Sequence, residues 1–459
     1  MTRIAIIGGG FSGTALAIQL LRRGAADLEI HLFNRSGPKA RGLAYGTRSP
    51  LHVLNVPAGR MGLSPDDEGD FLRYLQQAEP GVGSGDFVGR SRYGDYLETR
   101  LAEAVKSSAA RLHHHGVAVT DLVRVGNAWR LSHAAGALSV DAVVLATGNF
   151  APATPPVLDA FTDHPAYVRD PWTPGALSAI APEAPILLLG TGLTMYDLAL
   201  ALTAQGHRGP LIALSRRGLT PQPHREHSHA PSLPAIPSSL LIQTRIRPML
   251  RVLRRLIGEA AARGSDWRDL IAALRPVTPQ LWQQLPVPER RRFLRHLQVY
   301  WDVHRHRAAP AIAEAIAALR AKGQLRIEAG RLLDVAATTD GLTLAYRPRG
   351  RAGRERLCVA HIINCTGPDS NVARLPDPLF RSLLAQGLIR PDSLGLGLDA
   401  DDQDLLRGAD GLRQPGLYLI GPMLRARDWE ATAVPELRQQ AARLAERLLA
   451  TLTSRKEPA

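Results

Sequence analysis

The first residues of the chain combine an apolar strand, a glycine turn and a helix. After the apolar run of residues 4–7, Gly8, Gly10 and Gly13 stand at the G-x-G-x-x-G spacing. The first glycine of this pattern makes a tight turn, the second lets a pyrophosphate approach the backbone, and the third lets helix and strand pack closely. Because a second strand follows at residues 29–33, the stretch predicts a dinucleotide-binding βαβ unit.

The end of that second strand bears on which dinucleotide fits. Asn34 stands 21 positions after Gly13, where an acidic residue normally binds the ribose hydroxyls of adenosine. Asparagine can hydrogen-bond a hydroxyl, but a neutral residue followed by Arg35 could equally accept a ribose 2′-phosphate. From this position alone, FAD and NADP both stay open.

A second strand, glycine turn and helix occupy residues 185–199. Gly190 and Gly192 fill the first two positions of the fingerprint, and Met195 replaces the third glycine. The two positions that meet phosphate are therefore kept. This stretch predicts a second dinucleotide site.

The strand after the second turn, residues 211–214, ends in Ser215, Arg216 and Arg217. Two guanidinium groups at this strand end, without an acidic residue, are suited to bind the 2′-phosphate of an adenosine ribose. We therefore expect NADPH, with NADH as the alternative. The other interpretation is a basic solvated turn, because arginine is frequent throughout the chain.

Each glycine turn is followed, much later in the chain, by a buried strand that ends in Thr-Gly. Thr147-Gly148 follows residues 140–145, and Thr366-Gly367 follows residues 361–364. This internal repeat is typical of two-dinucleotide flavoproteins and favours FAD at the first turn. A last short strand ends at Gly421 before the C-terminal helix, where flavoproteins hold the flavin against helix N–H groups.

These patterns predict an α/β fold of two Rossmann-like dinucleotide-binding domains. We expect an FAD domain from residues 1–180 and 331–459, around an NAD(P) domain at residues 181–330. The latter carries a helical insert at about residues 221–320, with helices predicted at residues 243–262, 266–274, 289–295 and 310–321. Small antiparallel meanders are predicted at residues 116–133 and 325–357.

Composition excludes several classes of function. The net charge is +14, but residues 215–307 alone hold 17 arginines against 6 acidic residues, and no nucleic-acid motif accompanies them, so no nucleic-acid partner is expected. The cysteines, Cys358 and Cys365, form no C-x-x-C pair, which argues against a redox dithiol. No apolar run is long enough to span a membrane, and no signal peptide precedes the first strand; a cytoplasmic protein is expected.

Histidine clusters do not lead to a predicted metal site. Residues 113–115 are three adjacent histidines, interpreted as a solvated helix end because neighbouring residues cannot converge on one ion. His224, His227 and His229 lie in a proline-rich loop without a cysteine or carboxylate cluster to complete a ligand set.

The densest chemistry of the insert lies at residues 298–307, where arginine, histidine and aromatic side chains could line a pocket for a planar or anionic substrate. Arg305 and His306 are the candidates for substrate binding or proton transfer, and Arg60, from the loop after Asn55, is the third. Alternatively, Trp301 belongs to the core and the arginines to the surface.

Together these stretches resemble the FAD/NAD(P)-binding oxidoreductases that include the bacterial FAD-dependent urate hydroxylase and flavin monooxygenase-like proteins. The resemblance spans nearly the whole chain, and Asn34 departs from its pattern. It is carried by residues 6–13, 42–47, 54–58, Arg90 with Tyr93-Gly94, 190–194, 215–218, Trp301-Asp302 with 305–307, Trp429-Glu430 and 432–438.

The resemblance implies a monooxygenase that consumes NAD(P)H, uses FAD and O₂, and hydroxylates a small nitrogen-rich or aromatic substrate such as urate. The rivals are an NAD(P)H reductase or dehydrogenase of the same architecture and a non-catalytic dinucleotide-binding protein. The oligomeric state is left open, with a homodimer as one alternative. The residues expected to bind the cofactors are Gly8, Gly10, Ser12, Gly13, Asn34, Asn55, Thr147, Gly148, Gly190, Gly192, Thr194, Arg216, Arg217, Gly421, Glu430 and Thr432.

Overall fold

Sixteen strands and fourteen α-helices form in the described part of the computed structural model, which comprises residues 1–47, 49–225 and 234–454, without the side chains of 453 and 454. The strands are β1 (Thr2–Ile7), β2 (Leu28–Phe33), β3 (Arg111–His115), β4 (Val119–Val125), β5 (Ala128–His133), β6 (Gly136–Val140), β7 (Ala142–Leu145), β8 (Tyr167–Val168), β9 (Ile186–Leu189), β10 (Leu211–Ser215), β11 (Leu325–Thr338), β12 (Gly341–Pro348), β13 (Glu355–Val359), β14 (His361–Asn364), β15 (Leu405–Arg407) and β16 (Arg413–Leu419).

The helices are α1 (Phe11–Arg23), α2 (Gly42–Tyr45), α3 (Asp70–Ala78), α4 (Arg90–Ser107), α5 (Leu193–Ala204), α6 (Ser238–Leu241), α7 (Ile246–Ala262), α8 (Trp267–Leu274), α9 (Thr278–Gln283), α10 (Val287–His296), α11 (Gln298–Arg305), α12 (Pro310–Ala321), α13 (Pro378–Ala385) and α14 (Val434–Ser454). The predicted insert helices and the C-terminal helix are confirmed, with ends shifted by a few residues. None of these helices is both long and apolar enough to cross a membrane.

The first sheet is built from both ends of the chain. Its order is β15-β16-β7-β1-β2-β3, and β1 lies parallel to both β2 and β7. β1 is an almost continuous apolar run because helices or the meander cover both faces of a parallel sheet. β16, from the C-terminal part of the chain, pairs in parallel with β7. The first sheet therefore combines strands from residues 1–180 with strands from residues 331–459.

The second sheet repeats this plan. Its order is β13-β12-β11-β10-β9-β14-β8, with β9 between β10 and β14 just as β1 lies between β2 and β7. The predicted boundary at residue 330 falls inside β11, which pairs in parallel with β10 in its first half and antiparallel with β12 in its second. The second sheet therefore extends to Asn364, and it also takes in β8 from the segment before residue 180.

The connection from β10 to β11 contains the insert. Because these strands are parallel, the chain needs a crossover, which α12 supplies by packing Ile316 and Leu319 into the core with α5. The insert proper is therefore α6–α11, and α12 belongs to the second domain.

Two further expectations concern the first domain. The predicted meander is confirmed as a separate three-stranded sheet, β4-β5-β6, with Trp129 and Leu131 buried against the first sheet. The interpretation of the three adjacent histidines as a helix end was wrong: α4 ends at Ser107, and residues 111–115 form the edge strand β3, paired in parallel with β2. Its side chains alternate between the two faces of the sheet.

Candidate functional site

The first glycine turn lies at the carboxyl end of β1, between β1 and α1. Gly8 has a φ of +123°, and a Cβ atom there would overlap the carbonyl oxygen of Ala146 in the neighbouring strand ending. A Cβ atom at Gly13 would overlap the carbonyl oxygen of Gly8. Only glycine fits either position, so the turn keeps its backbone N–H groups accessible, with Gly10 as the N-cap of α1.

Three other segments surround this turn. Gly42 lies directly over Gly10, and a Cβ atom added at Gly421 would stand 3.0 Å from the Ser12 hydroxyl. The Thr147 hydroxyl, in the strand ending beside Gly8, is buried and has no hydrogen-bond partner among the described residues. Gly148, with a φ of +70°, completes this wall. An unsatisfied buried hydroxyl and a backbone cradle are what a bound pyrophosphate would use.

Asn34 lies against the turn, since a Cβ atom at Gly9 would be 2.9 Å from the Asn34 Cβ. Its amide group donates to the carbonyl oxygens of Gly37 and Pro38, at 3.2 and 3.4 Å, and so leaves Oδ1 as an acceptor for a ribose hydroxyl. Arg35 turns away to Asp377, 3.1 Å distant. With its guanidinium occupied, this strand end suits a hydroxyl better than a 2′-phosphate.

The second glycine turn repeats the geometry of the first. Gly190 has a φ of +120°, and its Cβ would overlap the carbonyl oxygen of Cys365, the counterpart of Ala146. Gly192 caps α5 over open space, since no described atom would lie within 4 Å of a Cβ added there. Met195 is fully buried at the third position, and Thr194 is half-buried in the first turn of α5.

The two arginines at the end of β10 have different surroundings. Arg217 donates to the carbonyl oxygen of His296 at 3.1 Å and lies over the Tyr300 ring, so the helical insert holds it. Arg216 is exposed. Of the predicted pair, only Arg216 is placed to meet a phosphate freely.

The insert closes against the C-terminal part of the first domain. Trp301 Nε1 donates to Glu430 Oε1 at 3.0 Å, and Arg305 Nη2 lies 2.9 Å from Glu430 Oε2. Glu430 is 2% and Arg305 11% exposed. Glu430, predicted to bind cofactor, has both carboxylate oxygens engaged by the insert instead. Thr432, close by, is exposed, and its N–H donates to the Glu430 carbonyl oxygen at 2.6 Å.

Electrostatics limit what the predicted catalytic residues can do. The Arg305 charge is balanced by Glu430, and burial lowers its pKa. Burial, with the charges of Arg305 and Arg425, lowers the pKa of His306 to about 3, so the imidazole is neutral at pH 7 and a weak base. Burial raises the pKa of Asp302 to about 6. A group with that pKa exchanges protons near neutrality, whereas the neutral His306 imidazole does not.

The loop that carries Asn55 and Arg60 touches the insert through its backbone. His224 Nε2 donates to the Asn55 carbonyl oxygen at 3.1 Å, and His227 and His229 lie outside the described residues. The Arg60 side chain is exposed, while its carbonyl oxygen accepts from Arg438 at 3.3 Å. Within the described ranges, no ion pair or hydrogen bond joins the Arg60 guanidinium to the insert.

One contact between the domains was not predicted from the sequence. Arg90 at the start of α4 forms an ion pair with Asp197 in α5, at 2.8 Å. A signal was present, because Asp197 is the single charged residue of the predominantly buried helix α5, and such a charge is almost always paired.

The cysteines form no redox pair. Cys358 is exposed and Cys365 is buried, and both are free thiols. Burial raises the pKa of the Cys365 thiol, which disfavours the reactive thiolate. The Cys365 thiol is therefore poorly suited to act as a nucleophile in disulfide exchange.

Comparison with known proteins supports the first site. Residues 5–150 match the model of a family described as FAD-NAD(P)-binding. This segment, from β1 to the strand ending beside Gly8, is an FAD/NAD(P)-binding unit. No curated protein matched the chain by sequence.

Solved structures match over the whole chain. An ornithine hydroxylase from Pseudomonas aeruginosa aligns with a TM-score of 0.66 at 17% identity, covering 98% of this chain and 99% of that one. A cadaverine monooxygenase from Erwinia amylovora, bound to FAD, gives 0.64 at 13%, covering 98% and 94%. An ornithine N-hydroxylase from Kutzneria sp. 744, with reduced FAD, NADP⁺ and L-ornithine, gives 0.61 at 15%, covering 99% of each. These matches establish the two-dinucleotide flavoprotein fold.

Proposed function

We propose that the protein is an FAD-dependent, NADPH-consuming monooxygenase that hydroxylates a nitrogen atom of a small substrate. The observation that supports this proposal is the arrangement of two glycine turns, at Gly8 and Gly190, in sheets of matching topology, with a helical insert across the C-terminal segment. The alignments to the ornithine hydroxylase, the ornithine N-hydroxylase and the cadaverine monooxygenase cover at least 98% of this chain, so they include the insert.

The residues at the first turn fit FAD. The Gly8–Gly13 backbone would hold the pyrophosphate on the N-terminus of α1, the Asn34 Oδ1 would accept from a ribose hydroxyl, and the free Thr147 hydroxyl would satisfy its hydrogen bond on the cofactor. When bound, FAD would supply the transfer of reducing equivalents and the activation of O₂.

The residues at the second turn fit NADPH. Gly192 leaves room over the N-terminus of α5, and Arg216 would pair with the 2′-phosphate. The Arg305–Glu430 pair and the Trp301 indole would hold the insert over the cofactors and keep water from the reacting atoms. Asp302, with its pKa of about 6, would take up or release the substrate's proton.

The substrate is proposed from chemistry shared with the neighbours. They are an ornithine hydroxylase and a cadaverine monooxygenase, so a primary amine is the first class to test. Urate, implied by the resemblance of the sequence, is a separate nitrogen-rich candidate.

Purified protein tests the proposal in three steps. Reconstitution with FAD should give a yellow protein, NADPH should bleach it without oxygen, and oxygen uptake should yield a hydroxylated nitrogen with one member of a panel of diamines, basic amino acids and purines. A protein that cannot be loaded with FAD contradicts the proposal. Oxygen uptake that yields only hydrogen peroxide across the panel favours the reductase alternative.

A further inference from the structure

A cluster of imidazoles and one carboxylate lies at the edge of the first sheet, away from the glycine turns' backbone. His31 and Glu29 in β2 and His113 in β3 offer three ligand atoms within 4.8 Å of one another. The parallel register sets His113 directly beside His31, and their rings stack with centroids 4.8 Å apart. Alternation along β2 places His31 and Glu29 on one face of the sheet.

His31 carries the strongest sign of a missing partner. Its side chain is only 7% exposed, and its Nε2 atom is buried without a hydrogen-bond partner among the described residues. The other ring nitrogen, Nδ1, lies 3.0 Å from His115 Nε2. A hydrogen bond at one ring nitrogen fixes the tautomer and the orientation of the ring and leaves the lone pair of the other nitrogen for a ligand, as in metal-binding histidines.

Glu29 is held in position by two arginines. Its Oε2 accepts from Arg3 at 2.9 Å, and its Oε1 lies 3.1 Å from Arg111. A carboxylate has about four lone-pair positions, so these two hydrogen bonds leave about two positions for a metal ion. The arginines would then act as the outer partners that fix a ligating carboxylate.

We propose that Glu29, His31 and His113 bind one divalent transition-metal ion, with Zn²⁺ as the best match. Two imidazoles and one carboxylate are a ligand set used for zinc with a fourth, open position. Ligand atoms of one zinc ion stand about 3.4 Å apart, and the exposed His113 side chain supplies the adjustment from the present spacing. The ion would cross-link edge strand β3 to β2.

The test uses tag-free, FAD-loaded full-length protein after dialysis against a chelator. Calorimetric titration with Zn²⁺ should give one ion per chain, and metal analysis after equilibrium dialysis should agree. His113→Gln, at an exposed position, should weaken binding by more than about 100-fold, and His115→Gln, an outer partner, by about 10- to 100-fold. His114→Gln, on the opposite face of β3, should leave the affinity unchanged.

Thermal unfolding gives an independent readout. Zn²⁺ should raise the melting temperature of the wild type and of His114→Gln but not that of His113→Gln, because a ligand stabilises only the state that binds it. Wild-type protein that takes up no Zn²⁺, or His113→Gln that binds it with wild-type affinity, overturns the proposal. Because His113 is exposed, a folding defect would not account for its loss of binding.

Discussion

The Arg90 guanidinium crosses from the first domain to the Asp197 carboxylate in the first helix of the second domain, with 2.8 Å between Nη2 and Oδ2. Arg90 is anchored on its own side, where Nε donates to the Val53 carbonyl oxygen at 3.1 Å. The Asp197 side chain is 9% exposed, and burial raises its pKa. The pair therefore ties the two domains at a point with little access to water.

Removing one partner of this pair should be costly. Arg90→Ala leaves the Asp197 carboxylate buried without its charge partner, so we expect a loss of about 3–5 kcal/mol in the free energy of unfolding. Urea unfolding would measure it. Arg92→Ala, which breaks the exposed pair with Glu79, is the matched control and should change stability by less than about 1 kcal/mol.

The double variant Arg90→Ala/Asp197→Asn should recover part of the loss, because a neutral amide is cheaper to bury than a carboxylate. If the double variant is as unstable as the sum of the two single variants, the two side chains do not interact and the ion pair is refuted.

The two glycine turns should respond differently to alanine. Gly192→Ala meets no neighbouring atom of the described chain, at a φ of −84°, so the variant should fold and retain FAD. Its methyl group would occupy the approach of a phosphate, and the KM for NADPH should rise by roughly 10-fold or more, the equivalent of about 1.4 kcal/mol. Steady-state kinetics would measure this, and an unchanged KM would contradict a coenzyme site at Gly192.

Gly8→Ala should fail at an earlier stage. The added methyl would overlap the Ala146 carbonyl oxygen at a positive φ, so the turn cannot form without moving a strand ending. We expect loss of FAD, measured by absorbance of the gel-filtered protein. Retention of a full equivalent of FAD would show that the first turn does not hold it.

Coenzyme preference should depend on Arg216. Arg216→Ala removes a charged hydrogen bond to the 2′-phosphate worth about 1.5–3 kcal/mol, so kcat/KM for NADPH should fall by roughly 10- to 100-fold while that for NADH stays constant. Arg217→Ala should affect both coenzymes alike, because Arg217 holds the insert at His296. Equal effects of Arg216→Ala on NADPH and NADH would refute this assignment.

Asp302 should make stability depend on pH. Its pKa in the folded protein is about 6, against 3.8 for an ordinary aspartate, so ionisation opposes folding, and the penalty grows as pH rises from about 4 to 6. Asp302→Asn should therefore stabilise the protein at pH 7, by about 1 kcal/mol after solvent screening of this partly exposed group, and hardly at all near pH 4. Urea unfolding of both proteins at each pH isolates the carboxyl from His306. A gain that is equal at both pH values contradicts a raised pKa.

The sequence was sufficient for features fixed by local backbone geometry. Gly8 and Gly190 were predicted correctly because a turn that brings one strand ending against the next admits only glycine. The repeat of Thr147-Gly148 and Thr366-Gly367 revealed the shared topology because both glycines adopt a positive φ, +70° and +88°, which favours glycine.

Features fixed by tertiary packing could not be predicted. Glu430 and Arg217 are predicted to bind cofactors, but residues of the insert contact both side chains. No local sequence pattern predicts such a contact. Residues 113–115 carry no hydrophobic period; they form a strand because β2 offers an unpaired edge. The predicted boundary at residue 330 lies within β11, a strand that pairs in parallel with β10 and antiparallel with β12, and no local pattern predicts this double pairing.

The chain passes between the two domains twice, and the two passages touch. Phe150, just after the first Thr-Gly ending, forms an antiparallel bridge with Asp369, just after the second. The two connections lie side by side and are joined by this bridge. Rotation of one domain about the line through them would keep the bridge, whereas sliding of one domain past the other would break it. A rotation that moved α5 away from α4 would also break the ion pair between Arg90 and Asp197.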